Sequence, residues 1–502
     1  NGSTAAGGLV GSLGEKAKFE TTVNAVIEFS KPVIKVTAGT GTAGGLMGRM
    51  KEHSEIVTAE NAGITIDSPQ ITITSDGTKT VNGAAGGIAG KADNVTFNSV
   101  KSDIEVSTPN VGGKSWTHVG GFVGDYTLNA DIVDTNQSFP QYIKIINPTV
   151  WADGAWGLGG GNSGGYFGRL NLQGGLCYVI GSEDNTTAKT EFNAKYKQDG
   201  GRSQGYGAIA GQLTSTAKES ALVLQNLEVN SVYTTGETRP MYHGGLIGRI
   251  GDNDQENVTY LEVNNVAVNI TNPHARSLFG GISAYLTKNS IMKVYNVKID
   301  TRNSNDSSLW EGGGILGHAG EGSVLELSGC TDLTNVNFQG RSNGIVGQLV
   351  KENECGLVYA KGDGNGNGWT YKRSSFTKAS AFINDIGTYG QIIRLKSSED
   401  SSSTGGLSYN LIQITNEHDV VLKNPAVAWS NIKEISLSSA DDFALLSIAW
   451  NSRGYFSANK AVINTKNYGS LFKSNITITS DINLTGTGIY GLTRDNSKEL
   501  AY

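Results

Sequence analysis

The residues best suited to chemistry form the hexapeptide DGNGNG, from Asp363 to Gly368. Asp363, Asn365 and Asn367 match the first three ligand positions of a calcium loop, in which oxygens from alternate residues surround one hard cation. The twelfth position of such a loop would be Ser374 instead of a bidentate Glu, so an EF-hand is excluded. The segment predicts either a looser calcium site, with calcium as the one suggested cofactor, or a polar turn that alternates with glycine.

Aromatic side chains recur at similar points of the chain and suggest a glycan-binding surface. They come within eight residues before successive copies of a glycine motif: Trp116, Trp156, Tyr206, Tyr242, Phe279 and Trp310. Aromatic faces can stack on sugar rings, so a row of them along one edge would bind a glycan. The alternative is that each ring covers its own loop and binds no ligand.

The charged and imidazole side chains do not form a recognisable catalytic motif. Neither His-Glu-x-x-His nor Gly-x-Ser-x-Gly occurs, and the six histidines are scattered. His118, His243 and His318 lie beside copies of the glycine motif, where we expect exposed polar side chains. One motif position is mixed and mildly basic, with a single carboxylate: Ser12, Arg49, Lys91, Asp125, Arg169, Gln212, Arg249, Tyr285, His318 and Gln348. We therefore expect no enzymatic activity.

A repeat must position these residues, and its motif reads Gly-Gly, an apolar pair, Gly and a polar residue. Its copies begin at Gly7, Gly44, Gly86, Gly120, Gly164, Gly207, Gly244, Gly280, Gly313 and Asn343. Steps of 30 to 44 residues are typical of repeat architectures. The glycines after the first have predicted structural roles at tight corners: Gly8, Gly11, Gly45, Gly48, Gly87, Gly90, Gly121, Gly124, Gly165, Gly168, Gly245, Gly248, Gly314 and Gly317.

The segments between motifs predict the fold class. Each repeat offers about three short β segments separated by Gly, Asn, Asp and Ser turns, without helical periodicity. Three strands per turn with glycine corners predict an all-β, right-handed parallel β-helix of about 10–12 coils. Asn226, Asn265 and Asn296 fall at similar places in three successive coils, which predicts a structural ladder of stacked amides.

Two adjacent motif positions are apolar and raise a question of orientation. The residue after the second glycine, such as Leu46 or Ile88, predicts a column inside the coil. The next residue is also mostly apolar, although strict strand alternation would place it outside. Either the third glycine is a bulge that changes the parity, or an apolar stripe runs up the exterior.

Composition excludes several classes of function. Net charge is −6 and the 40 basic residues are dispersed, so we expect no nucleic-acid partner. No apolar run approaches the ~18 residues that a membrane-spanning helix needs, so no membrane span is expected. Cys177, Cys330 and Cys355 are too few and too irregularly spaced for a disulfide framework or a zinc site, although one Cys330–Cys355 bridge is conceivable.

The motif resembles the GLUG motif of bacterial surface proteins, including adhesin-like proteins and non-catalytic portions of some immunoglobulin A peptidases. The resemblance covers residues 1 to about 390. It implies an extracellular β-helical stalk or adhesin at the bacterial cell surface, with host or neighbouring-cell glycans or proteins as partners, or self-association into fibres. It transfers no catalytic residues. The alternatives are a carbohydrate-active β-helix enzyme, a lyase or hydrolase, and the non-catalytic portion of a large secreted protease.

The pattern changes along the chain and predicts three regions. Residues 1–390 form the repeat array, 391–433 its fading last coils and cap, and 434–502 a short helix with the first strands of a second β-helical module. Phe443, Leu446 and Trp450 are expected to seat that helix on the coil below. We expect the chain to be a segment of a longer protein.

Overall fold

A computed structural model gives the chain an all-β fold. It describes residues 4–349 except 39, 75–82, 96, 98, 115, 130–136, 139–141, 154–160, 182–189, 198–204, 217–219, 235–241, 253–258, 272–277, 288–289, 302–308, 320–323, 336–337 and 344–345, and short strands between 354 and 478. The chain divides into two compact units, Asn1–Ile250 with Thr377–Ala379, and Gly251–Phe376 with Ser380–Tyr502. Strands of successive repeats pair in parallel within each unit, which confirms the predicted parallel β-solenoid.

In the first unit, every copy of the motif joins two parallel sheets. Sheet I contains the strands that end on the first glycine: Thr4–Gly7, Gly41–Gly44, Ala84–Gly86, His118–Gly120, Asn162–Gly164, Gly205–Gly207 and Tyr242–Gly244. Sheet II contains the strands that begin three residues after that glycine: Val10–Leu13, Met47–Met50, Ala89–Asp93, Val123–Asn129, Phe167–Ile180, Ala210–Ser215 and Ile247–Ile250. The second glycine and the following residue form the corner between them.

The remaining strands close each coil of this unit. Sheet III contains Val26–Ser30, Gly63–Asp67, Ile104–Ser107 and Ile143–Ile146. Sheet IV contains Val33–Thr37, Gln70–Thr74, Asn110–Lys114, Thr149–Asp153, Thr190–Lys197 and Leu227–Thr234. The shorter strands are Lys18–Glu20, which pairs with Glu55–Val57, and Gln137–Ser138 and Ser220–Gln225, which both pair with Phe167–Ile180.

The corner explains why the motif begins with glycine. A Cβ on Gly44 would lie 1.9 Å from the Met47 carbonyl oxygen of the same corner and 2.7 Å from the Ile88 oxygen of the next coil. A Cβ on Gly45 would lie 2.0 Å from the Gly87 oxygen. Because such distances are far below van der Waals contact, only glycine fits at Gly44 and Gly45 without a shift of the backbone.

In the described copies after the first, both apolar columns of the motif are buried, and the corner accounts for this. Leu46 and Met47 are fully buried, as are Phe122 and Val123. The chain bends at the second glycine and the residue after it, so strict alternation does not apply across the two columns. The strands keep their register through the third glycine, as Met47 pairs with Ala89. The change of parity therefore lies at the corner and not in a bulge at the third glycine.

A second row of special backbone conformations joins sheets III and IV. Lys31, Ser68, Thr108 and Asn147 each have a positive φ, between 42° and 49°, and each precedes a proline. The proline carbonyls accept hydrogen bonds from the next coil, as in Gln70 N–H to Pro32 at 2.8 Å. Four X-Pro pairs in successive repeats were a signal of this turn that sequence reasoning missed.

The asparagines of the predicted ladder have a left-handed backbone conformation. Asn226, Asn265 and Asn296 have φ values of 55°, 54° and 47°. Asparagine tolerates this left-handed region better than other residues with a Cβ, which explains its recurrence there. Side-chain amides of adjacent coils do bond at another position, where Asn230 Nδ2 donates to Asn193 Oδ1 at 3.0 Å, and the ladder of Asn226, Asn265 and Asn296 stays a prediction.

The second unit repeats the same scheme with fewer coils. Its motif strands are Leu278–Gly280, Leu309–Gly313 and Phe338–Asn343 before the corner, and Ser283–Leu286, Leu316–Ala319 and Val346–Leu349 after it. A third parallel set contains Tyr260–Thr271, Ile291–Asp300, Val324–Asn335, Asp419–Leu422 and Ile476–Ile478. The corner residues Ile282 and Ile315 are fully buried.

The described residues of the C-terminal region are strands. A mixed sheet contains Glu354–Cys355, Tyr409–Asn410, Ile393–Ser397, Ile432–Leu437 and Val462–Ile463, and Ile414–Thr415 pairs antiparallel with Phe443–Ala444. The predicted helix is therefore wrong at Phe443, since a short apolar run fits either helical or strand periodicity. Leu446 and Trp450 lie outside the described residues. The regions proposed after residue 390 stay predictions.

Candidate functional site

A group of polar side chains of the first unit connects sheets I and II. We call it the polar cluster: His118 and Asn162 on sheet I, with Asp125, Arg169 and Gln212 on sheet II. Parallel register places Asp125, Arg169 and Gln212 at one position of three successive coils. The fold thus gathers residues that are 44 or more positions apart.

Hydrogen bonds connect the members of the polar cluster. Arg169 donates from Nε to Asp125 Oδ1 at 2.9 Å and from Nη2 to Asp125 Oδ2 at 2.8 Å, a bidentate pair. Asn162 Nδ2 donates to Gln212 Oε1 at 2.7 Å and lies 3.3 Å from His118 Nδ1. His118 Nδ1 accepts that bond when the ring is neutral with its proton on Nε2.

Burial and charge determine the protonation states in the cluster. The pKa of His118 is lowered from 6.5 to about 4, chiefly by burial, with Arg169 and Lys91 also lowering it and Asp125 opposing them. Burial by itself would raise the pKa of Asp125, but Arg169, His118 and Lys91 together bring it below its usual value. At neutral pH the cluster therefore contains a neutral imidazole beside an ion pair.

The arrangement connects strands of neighbouring coils through an ion pair and side-chain amide bonds. Ser163 follows Asn162 directly and so projects from the opposite face of its strand. The neighbouring cations Arg49 and Lys91 share Asp93, at 3.0 and 3.2 Å. Asp93 and Asp125 of sheet II are thus each paired with cations.

The histidines beside the motif are less exposed than the sequence analysis expects. His243 is fully buried, with its ring 5.1 Å from that of Tyr233. His318 lies with its ring 4.7 Å from that of Tyr285, and burial lowers its pKa to about 4. These histidines are covered because neighbouring coils pack against the strands that carry them. The sequence pattern does not reveal this burial.

Among the described side chains, two members of the predicted aromatic stripe are fully buried. Trp116 is 37% exposed, but Tyr206 is fully buried, with its ring 6.0 Å from that of Tyr233, so Tyr206 cannot stack on a sugar. Phe279 is also fully buried, in the second unit. Tyr242 is partly buried, and burial raises its pKa. Trp156 lies outside the described residues, and only the backbone of Trp310 is described.

One aromatic contact was missed by sequence reasoning. The Trp151 ring lies over Gly112 of the preceding coil, where a Cβ would be 1.7 Å from the Trp151 Cε2 atom. Trp151 Nε1 also donates to Asn110 Oδ1 at 3.1 Å. The signal was the pair VGGK and VWAD in equivalent places of two repeats.

The predicted calcium residues Asp363, Asn365 and Asn367 lie outside the described residues. Within the part that the structure describes, no three His, Cys, Asp or Glu side chains are grouped to hold a metal ion. Cys177 is free and buried, and burial raises its thiol pKa to about 12. For Cys330 and Cys355 the structure gives strand positions only, so their pairing stays a hypothesis.

Comparisons with known proteins give no match. No protein-family model, no curated protein and no solved structure is significantly similar to this chain. No helix among the described residues is long and apolar enough to cross a membrane.

Proposed function

We propose that this β-solenoid is a structural stalk segment of an exported bacterial cell-surface adhesin or extracellular fibre, without enzymatic activity of its own. One observation carries the proposal: the same corner contact recurs in successive coils. Leu9 N–H and Val10 N–H both donate to the Leu46 oxygen, at 3.0 and 3.1 Å, and the pattern is repeated up to the Leu246 oxygen. A chain whose coils contact mainly their neighbouring coils is suited to act as a spacer between a surface and a distal region.

The polar cluster supports a structural role and does not favour a second function. Its charged members satisfy one another, so the site presents no free acid–base pair to a substrate. The sequence resemblance to GLUG-type surface proteins supports the extracellular location. Glycans or proteins of host or neighbouring cells, and other copies of the chain, are the partners that this role implies.

Surface location is tested with antibodies raised against residues 1–250. Intact cells of the bacterium that encodes the chain should be labelled without permeabilisation, and brief protease treatment of the cells should remove the label. Labelling that appears only after permeabilisation would contradict the proposal.

The stalk role is tested by deleting one coil. Removal of residues 87–120 joins Gly86 to Gly121 in register, so the solenoid should still fold and cell attachment should persist. Removal of residues 87–103 takes out part of a coil, misaligns the ladder and should abolish folding, as followed by circular dichroism. Loss of attachment by the folded one-coil deletion would show that this coil binds a ligand.

A further inference from the structure

Two neighbouring strands of the second unit place a lysine, a glutamate and an asparagine together in a buried position. Register aligns Glu262 of Tyr260–Thr271 with Lys293 of Ile291–Asp300, and Asn264 lies two residues after Glu262, on the same face of its strand. Glu262 is fully buried, and Lys293 and Asn264 are each 3% exposed. Because burying charged groups is costly, their burial side by side indicates a specific interaction. We propose that Lys293 and Asn264 form an intramolecular amide bond, an isopeptide bond, with Glu262 carrying the protons.

The register of the two strands brings the bond-forming side chains within reach of each other. Lys293 and Asn264 are diagonal neighbours on adjacent parallel strands, so their Cα atoms lie roughly 8 Å apart. Long side chains meet across such a diagonal, and lysine has one of the longest. Among the described residues, Asn264 Nδ2 has no hydrogen-bond partner. No hydrogen bond to the described part of the chain therefore holds this nitrogen in place when it leaves.

The surroundings of these side chains exclude water from the reacting atoms. Tyr260 and Tyr295 lie on the same face of the two strands and are 6% and 9% exposed. On the opposite face Leu261 and Met292 are paired in register and buried. A dry site strengthens the interaction of an amine and a carboxylate with an amide, and it prevents hydrolysis from competing with amide formation. Holding the groups in one place also removes the entropic cost of bringing them together.

The reaction balances without an oxidant, a reductant or a second substrate. The Glu262 carboxylate accepts a proton from the Lys293 ammonium group, and the neutral Nζ attacks Cγ of Asn264. Glu262 then gives its proton to Asn264 Nδ2 and takes the second proton from the attacking nitrogen. The Nζ–Cγ bond forms, the Cγ–Nδ2 bond breaks and ammonia leaves, taking the remaining proton from Glu262 as ammonium.

The bond would join two successive coils of the second unit covalently. A cross-link of this kind stabilises a fold mainly by restricting the unfolded chain, as a disulfide does. Such a link suits a stalk, but the inference does not rest on the proposed surface location. It depends only on three buried side chains and their register.

Mass spectrometry of the full chain tests the bond. The intact mass should be lower than the mass given by the sequence by one ammonia molecule. Trypsin should release a branched peptide in which residues 250–276 are joined to residues 289–298, because an acylated Lys293 is not cleaved. A chain with the full sequence mass, cleaved normally after Lys293, would overturn the proposal and show that the lysine and the glutamate form no more than a buried ion pair.

Variants test the role of each residue, with folding checked by circular dichroism. Glu262→Gln should keep the full mass, whereas Glu326→Gln, whose backbone pairs with Lys293 on the other side, should still lose ammonia. Asn264→Asp should lose water instead of ammonia, since the same attack then expels a hydroxyl group; this variant decides the matter even where Glu262→Gln does not fold. Loss of ammonia from Asn264→Asp, or from folded Glu262→Gln, would overturn the assignment.

Discussion

At the scale of single residues, the polar cluster shows that a parallel solenoid brings side chains at one motif position of adjacent coils into contact. Asp125 and Arg169 hold the same motif position in adjacent coils, so they pair although 44 residues separate them. In the sequence this column is mildly basic with one carboxylate. The pairs could not be predicted, because the repeat length varies from 30 to 44 residues and so does not show which side chains of sheet I face this column.

Asp125→Asn removes the buried half of this pair and leaves Arg169 beside Lys91 and His118. We expect a loss of about 1–3 kcal/mol in the free energy of unfolding at pH 7, since an unpaired charge is costly but Arg169 is one-third exposed. The matched control is Asp103→Asn, whose ion pair with Lys144 is half exposed on both sides. Urea denaturation should show a loss below ~0.5 kcal/mol for it. Equal losses in both variants would contradict the account.

Stability should fall in mild acid because of the buried histidines. The pKa of His118 is lowered from 6.5 to about 4, so between these values the unfolded chain binds a proton that the folded chain does not. The free energy of unfolding therefore decreases as pH falls through this window. His118→Gln should lose less stability than the parent between pH 7 and pH 4.5 in urea denaturation. An acid loss in His118→Gln identical to that of the parent would refute the assignment.

At the scale of elements, the corner is the part that the sequence predicts best. Two glycines followed by an apolar residue indicated a tight bend with an interior column, and Leu46 and Ile88 lie there. The burial of the second column could not be predicted, because it depends on where along the corner the strand parity changes. The X-Pro turns were equally visible in the sequence, but they carry no apolar periodicity to draw attention to them.

Gly44→Ala tests the corner directly. Its Cβ would meet backbone atoms at 1.9 and 2.7 Å, which cannot move without displacing two coils. We expect a loss of about 3 kcal/mol or more, or failure to fold. Gly63→Ala is the matched control, because nothing lies within 4 Å of a Cβ there, and it should be neutral or stabilising by up to ~1 kcal/mol in thermal denaturation. Tolerance of Gly44→Ala would show that the corner is looser than described.

At the scale of the whole molecule, the repeat period predicted the architecture, while the sites depended on details that a period does not contain. The parallel solenoid was predicted from ten motif copies with strand-like segments between them. The aromatic stripe failed at Tyr206, since a residue one position before the motif lies on a strand of sheet I and is covered by its neighbours. The helix predicted at Phe443 was wrong, because the glycine motif no longer constrains the prediction in that part of the chain.

The stacking of coils is tested most directly by a distance across sheet IV. Register aligns Val33, Gln70, Asn110, Thr149 and Lys195, one residue per coil. Nitroxide labels on Val33→Cys and Lys195→Cys, in a chain with its three natural cysteines replaced by serine, should be measured by double electron–electron resonance. Four steps of about 4.8 Å place the two Cα atoms ~19 Å apart. A label separation of roughly 20–30 Å is therefore expected, and one of about 40 Å or more would contradict the solenoid.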